Sequence, residues 1–446
     1  MVGLGAYLFI VLTLVLPLWK YPGVALAGVL CMFGLDQWGQ ATTTFFAQHQ
    51  SLTNFIIGGI LVLALTTQIV KHGLSVLAGY PLVGWLTIAL FLYAFASAQW
   101  APRSDLSLDM WRIRWPYVVT FIILSPLLAA KARDLDAANV GLLLIGGLLA
   151  ALLLFFAKWD SRTIVLGNGF GNPLAVSSMA GMIVLVAILA DPWPASRLWP
   201  SIKWVLVAMC LILVVKSGSR GQLLGVVVIA AACWPISRRI KNTKQFLGWT
   251  CLLLFLSGIT SWSLQEYWAE KETYFAGGNR WSEQAMEEAM SGRFTRAFRL
   301  LHFWFDSPET ILFGLGNSAS YDPRILGIYP HFVPLEILAE EGIVGAILFS
   351  LILFVTAKTA IRYHASAHLT PAERATFSAL IGMFAFTFLL ALKQGSLLGN
   401  LEPFMFAIII GRLDNFQKVG YLPRQPEEDR LAQSARLDAR YPTLNN

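Results

Sequence analysis

Three arginines and one histidine lie where an otherwise apolar chain turns polar. Arg220 sits in Lys216-Ser217-Gly218-Ser219-Arg220-Gly221, Arg293 follows Ser291-Gly292, Arg296 comes three residues later, and His331 stands in Tyr329-Pro330-His331-Phe332. Guanidinium groups bind phosphate oxygens through paired N–H donors. A neutral imidazole can take the proton of a hydroxyl as its oxygen attacks. Arg220 also opens an expected helix, whose free N–H groups and dipole favour an anion. These residue types suit transfer of a group from an anionic, lipid-borne substrate.

Each residue also has a plainer alternative. The spacing predicts an amphipathic helix from about Glu283 to Phe305, with Arg293, Arg296, Ala297, Leu300 and Trp304 on one face. Cations on a mostly apolar face need an anionic partner, and for Arg293 that partner is expected to be substrate. For Arg296 and Arg299 an interfacial helix resting on anionic lipid explains them equally well, and His302, pointing away from Arg293, is expected to be structural. Arg220 could simply snorkel, and His331 could be an interfacial hydrogen-bonding residue. Glu336, Glu340 and Glu341 follow His331, Glu336 and Glu340 one turn apart, and any of them could orient the imidazole or grip sugar hydroxyls. In the preceding outer loop, Arg162 is followed by Asn172, an expected N-cap for the span after it.

Several chemistries find no support. There is no HExxH or CxxC pattern, and Cys31, Cys210, Cys233 and Cys251 all lie in apolar runs, so neither metal, cofactor nor disulfide is expected. Leu312-Phe313-Gly314-Leu315-Gly316-Asn317 does not complete a dinucleotide fingerprint and reads as a turn where backbone approaches a ligand closely.

The elements that must position these groups are membrane helices. Of 446 residues, 56% are hydrophobic and only 13% charged, with mean hydropathy +0.62; soluble domains carry about twice that charge. Runs near spanning length recur, without the alternation of barrel strands. The class is all-α, polytopic, with about twelve transmembrane helices and one large, partly helical outer loop. The first two apolar runs, 4–18 and 22–35, are short enough to form one broken or re-entrant unit, and no signal-peptidase pattern removes them. The expected organisation is transmembrane helices over 1–261, the outer loop 262–332, three further spans over 333–412 (the first running 333–357), and a cytoplasmic tail 413–446.

Net charge +7 and pI near 9.2 fit anionic headgroups and cytoplasmic loops, with no nucleic-acid partner expected. Arg238, Arg239, Lys241 and Lys244 make the densest basic cluster between spans and are placed inside. Counting outward puts 262–332 and Lys216–Arg220 outside, and Lys71, His72, Lys131, Arg133 and 358–374 inside. One loop breaks the rule: Gln99–Arg114 falls outside despite Arg103, Arg112 and Arg114.

In order, SGSRG at Ser217–Gly221, Gly292-Arg293, Phe313-Gly314-Leu315-Gly316 and PHFVPLEILAEEGIVG at Pro330–Gly345 resemble the O-antigen ligase and polymerase superfamily of bacterial envelope glycosyltransferases, over roughly residues 160 to 412. That family commonly has Asn after the histidine; this chain has Phe332, so any role of that amide is absent. The resemblance implies an inverting, metal-independent transferase in the bacterial inner membrane with its site facing the periplasm. It implies a donor glycan on undecaprenyl pyrophosphate and a lipid A-core acceptor, with Arg220 and Arg293 holding the pyrophosphate and His331 as base. Arg296, Glu336, Glu340, Arg162 and Asn172 are the expected substrate-binding residues. Among the family's activities, the single dominant outer loop favours ligase over polymerase, and the short tail disfavours a protein O-oligosaccharyltransferase. A lipid-glycan flippase or secondary transporter is the reading from another class. Such proteins place ionisable groups near the bilayer midplane; Glu402, near the end of its apolar run, is the clearest instance.

Overall fold

The structure is a computed structural model. It describes residues 2–237, 283–366 and 369–419, apart from positions 78, 130, 161, 191, 194 and 195, together with 244, 247, 248, 251 and 258. The basic residues Arg238, Arg239 and Lys241, most of the expected span 246–261, the outer loop up to residue 282 and the tail from 420 lie outside the described residues.

The chain is mostly helical. Among the described residues, six helices are long and apolar enough to cross a membrane: Leu52–Val76, Ala132–Phe155, Trp199–Lys216, Arg220–Ser237, Gly342–Ala365 and Pro371–Ala391. Shorter apolar helices cover Gly3–Val15, Leu82–Ser97 and Pro173–Leu189. Large side chains such as Phe55, Val70, Leu92, Val205, Phe354 and Ile361 are exposed on these helices. A water-facing surface rarely carries so dense an apolar coat, whereas lipid is a fitting solvent for it. The polytopic membrane class follows.

We number the elements used below α1 (Val2–Val15), α2 (Val24–Thr42), α3 (Ser104–Val118), α4 (Pro173–Leu189), α5 (Trp199–Lys216), α6 (Arg220–Ser237), α7 (Glu283–Trp304), α8 (Val333–Glu340), α9 (Gly342–Ala365), α10 (Pro371–Ala391) and α11 (Glu402–Val419). The centre is α4, where an unbroken stretch from Met179 to Leu189 is buried. Against it pack α5, α6 and α10.

Three expectations are corrected. The first two apolar runs form neither one broken helix nor a re-entrant unit. α1 and α2 are separate and antiparallel: the Trp38 indole donates to the Gly3 carbonyl at 3.3 Å, while Leu14 packs at Gly28. α2 also runs on to Thr42, because Gln37, Trp38 and Gln40 are buried by protein and not left to water. The single span expected over 333–357 is two helices, α8 and α9, broken at Glu341–Gly342, where Gly342 turns left-handed at φ +65°. Lastly, the outer loop before Asn172 holds a three-stranded antiparallel sheet, β1 (Trp159–Asp160), β2 (Thr163–Leu166) and β3 (Gly169–Phe170). Its register pairs Trp159 with Ile164 and Val165 with Phe170. The β-branched run Thr163-Ile164-Val165, followed by Gly-Asn-Gly, is a hairpin signature.

The loops gather at two ends. At one, the Lys71 ammonium lies over the Trp19 ring and the Arg133 guanidinium over Tyr21. At the other, Gly167 N–H donates to the Gln40 carbonyl, Asn168 to that of Ala47, and the Ser97 hydroxyl to Glu341. The partition is the one that loop charge predicts. α3 accounts for the exceptional loop: Arg103 pairs with Asp105 and Arg112 with Asp109, each locally neutralised.

Candidate active site

A cavity of about 260 Å³ opens at the end of the bundle that carries the sheet. Its lower wall is apolar, from Val29, Leu30 and Phe33 of α2 and Met179 and Met182 of α4. Its upper wall is polar: Arg114, Asn172, Tyr321, Tyr329, Gln394, Ser396, Asn400 and Glu402. A few polar groups over an apolar floor is the usual make-up of a ligand site. Amides, hydroxyls and aromatic faces in this combination suit a sugar, which offers hydroxyls at its edge and C–H groups on its face.

Arg220 reaches this region by way of a tight turn. Gly218 is left-handed, φ +67°, and a Cβ there would lie 2.7 Å from the Arg162 Cδ. Only glycine fits both demands. The side chain of Arg162 therefore crosses the turn that launches Arg220, and the two predicted arginines become neighbours. The turn is pinned to α4 by the Ser177 and Ser219 hydroxyls, 2.9 Å apart. It is pinned to the loop after α10 by Gln222, which donates to Gln394 at 3.0 Å. Lys393 comes down onto Gly221, adding a third cation. Arg220 is half-buried and is the first residue of α6, as expected.

His331 approaches from the other side. Its ring lies 4.2 Å from that of Tyr329, which lines the cavity, and Tyr329 in turn lies 6.2 Å from Tyr321. His331 adopts φ +64°. Left-handed backbone at a non-glycine residue costs on the order of 1–3 kcal/mol and persists where surrounding structure imposes it, often at functional sites. Burial, with Glu336 nearby, pushes the Tyr321 phenol up to about 12, so this hydroxyl stays protonated.

Asn172 is the N-cap of α4, its side-chain oxygen accepting from Leu174 N–H at 3.0 Å, and it lines the cavity. Glu336 and Glu340 do not line it. The Glu340 carboxylate accepts from Ser318 N–H at 2.6 Å and Ser320 N–H at 2.9 Å, holding Ser318 in a left-handed conformation. Glu336 accepts from Leu397 N–H at 3.0 Å and so fixes the loop that carries Ser396 and Asn400. Glu341 accepts from Ser97 at 2.7 Å and Asn317 at 3.0 Å. All three carboxyls are buried, and burial followed by mutual repulsion holds Glu336 above the usual carboxylate range, while burial alone raises Glu340; Glu341 is pushed up to about 8. The carboxylates expected to meet sugar instead build the frame, because the short helix α8 turns Glu340 toward the Gly316–Asp322 loop and Glu336 toward Leu397. They act on the cavity through Leu397, Ser318 and Asn317.

The arginine face of α7 is the packed one. Leu300 and Trp304 are buried against Ala319, Ile325 and Ala339, Arg296 is half-buried, and Arg299 is exposed and donates to the Arg324 carbonyl at 2.9 Å. Arg293 lies in the first half of α7, and its side chain lies outside the described residues. His302 is exposed beside Phe303.

Sequence reasoning missed Arg114 and Lys393. Arg114 ends a region read as loop and Lys393 ends the expected span 374–393; packing brings Arg114 into the cavity wall and Lys393 onto Gly221. Glu402 was visible as an ionisable residue near the end of such a run; its place in the cavity wall is a tertiary fact.

No protein-family model matches the chain, and no curated protein matches it. The functional reading therefore rests on the ordered motifs and on this geometry.

Proposed function

We propose that the chain is an inverting, metal-independent glycosyltransferase of the bacterial inner membrane. It moves O-antigen glycan from undecaprenyl pyrophosphate to the lipid A-core oligosaccharide at the periplasmic face, the work of an O-antigen ligase. The observation that carries the reading is one polar cavity over an apolar floor whose lining residue Gln394 is bonded to Gln222 of the Arg220 helix and whose lining residue Tyr329 packs against His331.

The reaction then runs as follows. The acceptor hydroxyl attacks the anomeric carbon of the donor sugar from the face opposite the diphosphate. The new C–O bond forms as the anomeric C–O(phosphate) bond breaks, which inverts the centre. The hydroxyl proton passes to the His331 imidazole. The electron pair of the broken bond stays on the diphosphate oxygen, where Arg220, with Arg162 and Lys393 beside it, meets the added charge. Preorganised guanidinium groups need no reorientation at that moment. Arg293 joins this set through the motif resemblance. Tyr321, Tyr329, Asn172 and Asn400 supply faces and polar edges for the sugar.

The test is the lipopolysaccharide of a deletion strain, complemented with wild type, Arg220→Ala, Arg293→Ala or His331→Ala. Uncapped core with lipid-linked polymer accumulating, restored by wild type alone, is the expected result. Core bearing single repeat units would make the protein a polymerase instead. A normal ladder in the deletion strain, or restoration by all three variants, would overturn the transferase reading.

A further inference from the structure

We propose that Arg114 is a phosphate-binding residue for the lipid-borne diphosphate, on the α3 wall of the cavity whose lining residue Gln394 is bonded to Gln222 of the Arg220 helix. The inference rests on the transferase reading and adds to it a residue that none of the recognisable motifs contains.

Three arginines lie on one short stretch. Arg103 forks onto Asp105 at 3.0 and 2.7 Å, and Arg112 binds Asp109 at 2.8 Å. Both pairs are exposed, so they neutralise charge at the surface and contribute little else. Arg114 differs on each count. It is half-buried, it lines the cavity, and among the described residues it forms no salt bridge. Glu402, in the same lining, does not pair with it. A guanidinium withdrawn from water and left without a counter-ion is costly unless an anion arrives.

Arg114 is also held in place. The Ser107 hydroxyl donates to the Asn317 carbonyl at 2.8 Å and the Trp111 indole to its side-chain oxygen at 3.0 Å, tying α3 to the loop that Glu340 and Glu341 organise. One turn on, Asn54 donates to the Tyr117 hydroxyl at 2.6 Å, and the Arg114 guanidinium lies 5.8 Å from the Tyr117 ring centroid. A cation over an aromatic face is steadied without being neutralised. The buried frame thus presents a fixed, unneutralised guanidinium to a polar space beside Tyr321 and Ser396. A diphosphate has oxygens enough to take it together with Arg220, whereas a neutral sugar does not call for it.

The test uses the full-length protein in lipid nanodiscs with farnesyl diphosphate, farnesol and inorganic pyrophosphate as probes. Arg114→Ala is expected to weaken farnesyl diphosphate binding about tenfold or more, with partial recovery in Arg114→Lys, while Arg112→Ala binds as wild type. Farnesol binding should be the same in all four proteins. Equal affinity of Arg114→Ala and wild type for farnesyl diphosphate would overturn the proposal, as would a parallel loss of farnesol binding, which marks a collapsed site. Inorganic pyrophosphate binding as tightly as farnesyl diphosphate would assign Arg114 to a free anion and remove the lipid-borne source. Because the transferase reading is judged by the lipopolysaccharide ladder, unchanged binding in Arg114→Ala beside a positive ladder test removes this contact alone.

Discussion

Arg412 and Arg220 lie at opposite ends of the bundle, and the protein withdraws each from water in a different manner. Arg412, on α11, is fully buried; it donates to the carbonyls of Val76 at 2.9 Å and Leu127 at 3.4 Å, and its guanidinium lies over the Phe416 ring. Those carbonyls end helical segments, where unsatisfied acceptors collect. Close by, Arg362 forks onto the buried Asp414 at 2.9 and 2.5 Å. Arg220 sits half-buried at a helix start, beside a cavity, with Arg162 and Lys393 crowding the same turn. One end sets its cation on helix-terminal carbonyls; the other gathers three basic side chains at a turn whose helix is bonded to the cavity lining. Burial of a cation is therefore no sign of function by itself. Its access, and the sign of its neighbours, make the difference.

The comparison can be broken most directly by substitution at the cavity end. Arg220→Ala and His331→Ala should each lower glycan transfer by about a hundredfold or more, the scale of losing an electrostatic or general-base group, with no loss of folded protein in a thermal melt. Unfolding of these variants would make the cavity end structural too. At the sealed end the expectation reverses: Arg412→Met should destabilise by about 2–4 kcal/mol, from orphaned carbonyls and lost packing, yet leave transfer per folded molecule unchanged. Loss of specific activity there would erase the distinction.

A smaller effect sharpens the role of the frame. The folded Glu341 carboxyl titrates near 8, above its ordinary value, so the folded state binds more protons than the unfolded one between about pH 4.5 and pH 8. Stability should then fall as pH rises through that window, by up to about 1.4 kcal/mol per unit for one proton, and level off above it. Glu341→Gln should flatten the slope of melting temperature against pH; an unaltered slope would show that Glu341 is not the group responsible. The smallest effect expected is none at all: transfer in excess chelator should match the untreated rate, and loss that one divalent ion restores would refute the metal-free mechanism.

Much of the site was legible in advance, and the misses share a cause. Arg220 at a helix start and Asn172 as a cap are local facts, written in Ser-Gly-Ser-Arg-Gly and Asn-Pro, and the structure has both. The sheet at Trp159–Phe170 was also written locally, in Thr-Ile-Val and Gly-Asn-Gly, but an outer loop in a membrane chain does not invite a search for strands. Glu336 and Glu340 were assigned to substrate because spacing brings them near His331. Spacing cannot reveal that the Gly314–Asp322 loop folds back to Glu340 and that Leu397 comes in to Glu336. Arg114 and Lys393 were passed over for the converse reason: nothing next to them in the chain marks them, and their partners lie hundreds of residues away or on other helices.

The linear sequence is enough for the solvent and the class. A chain this poor in charge, with repeated apolar runs that lack the alternation of barrel strands, is helical in lipid because only helices and closed barrels satisfy their backbone there. It also determined where anion-binding and proton-accepting side chains stand along the chain. Tertiary structure alone decided which of them share a space. Arg114, Asn172 and Glu402 line one cavity through packing among distant helices, and hydropathy, being a sum over neighbours in the chain, carries no information about neighbours in space.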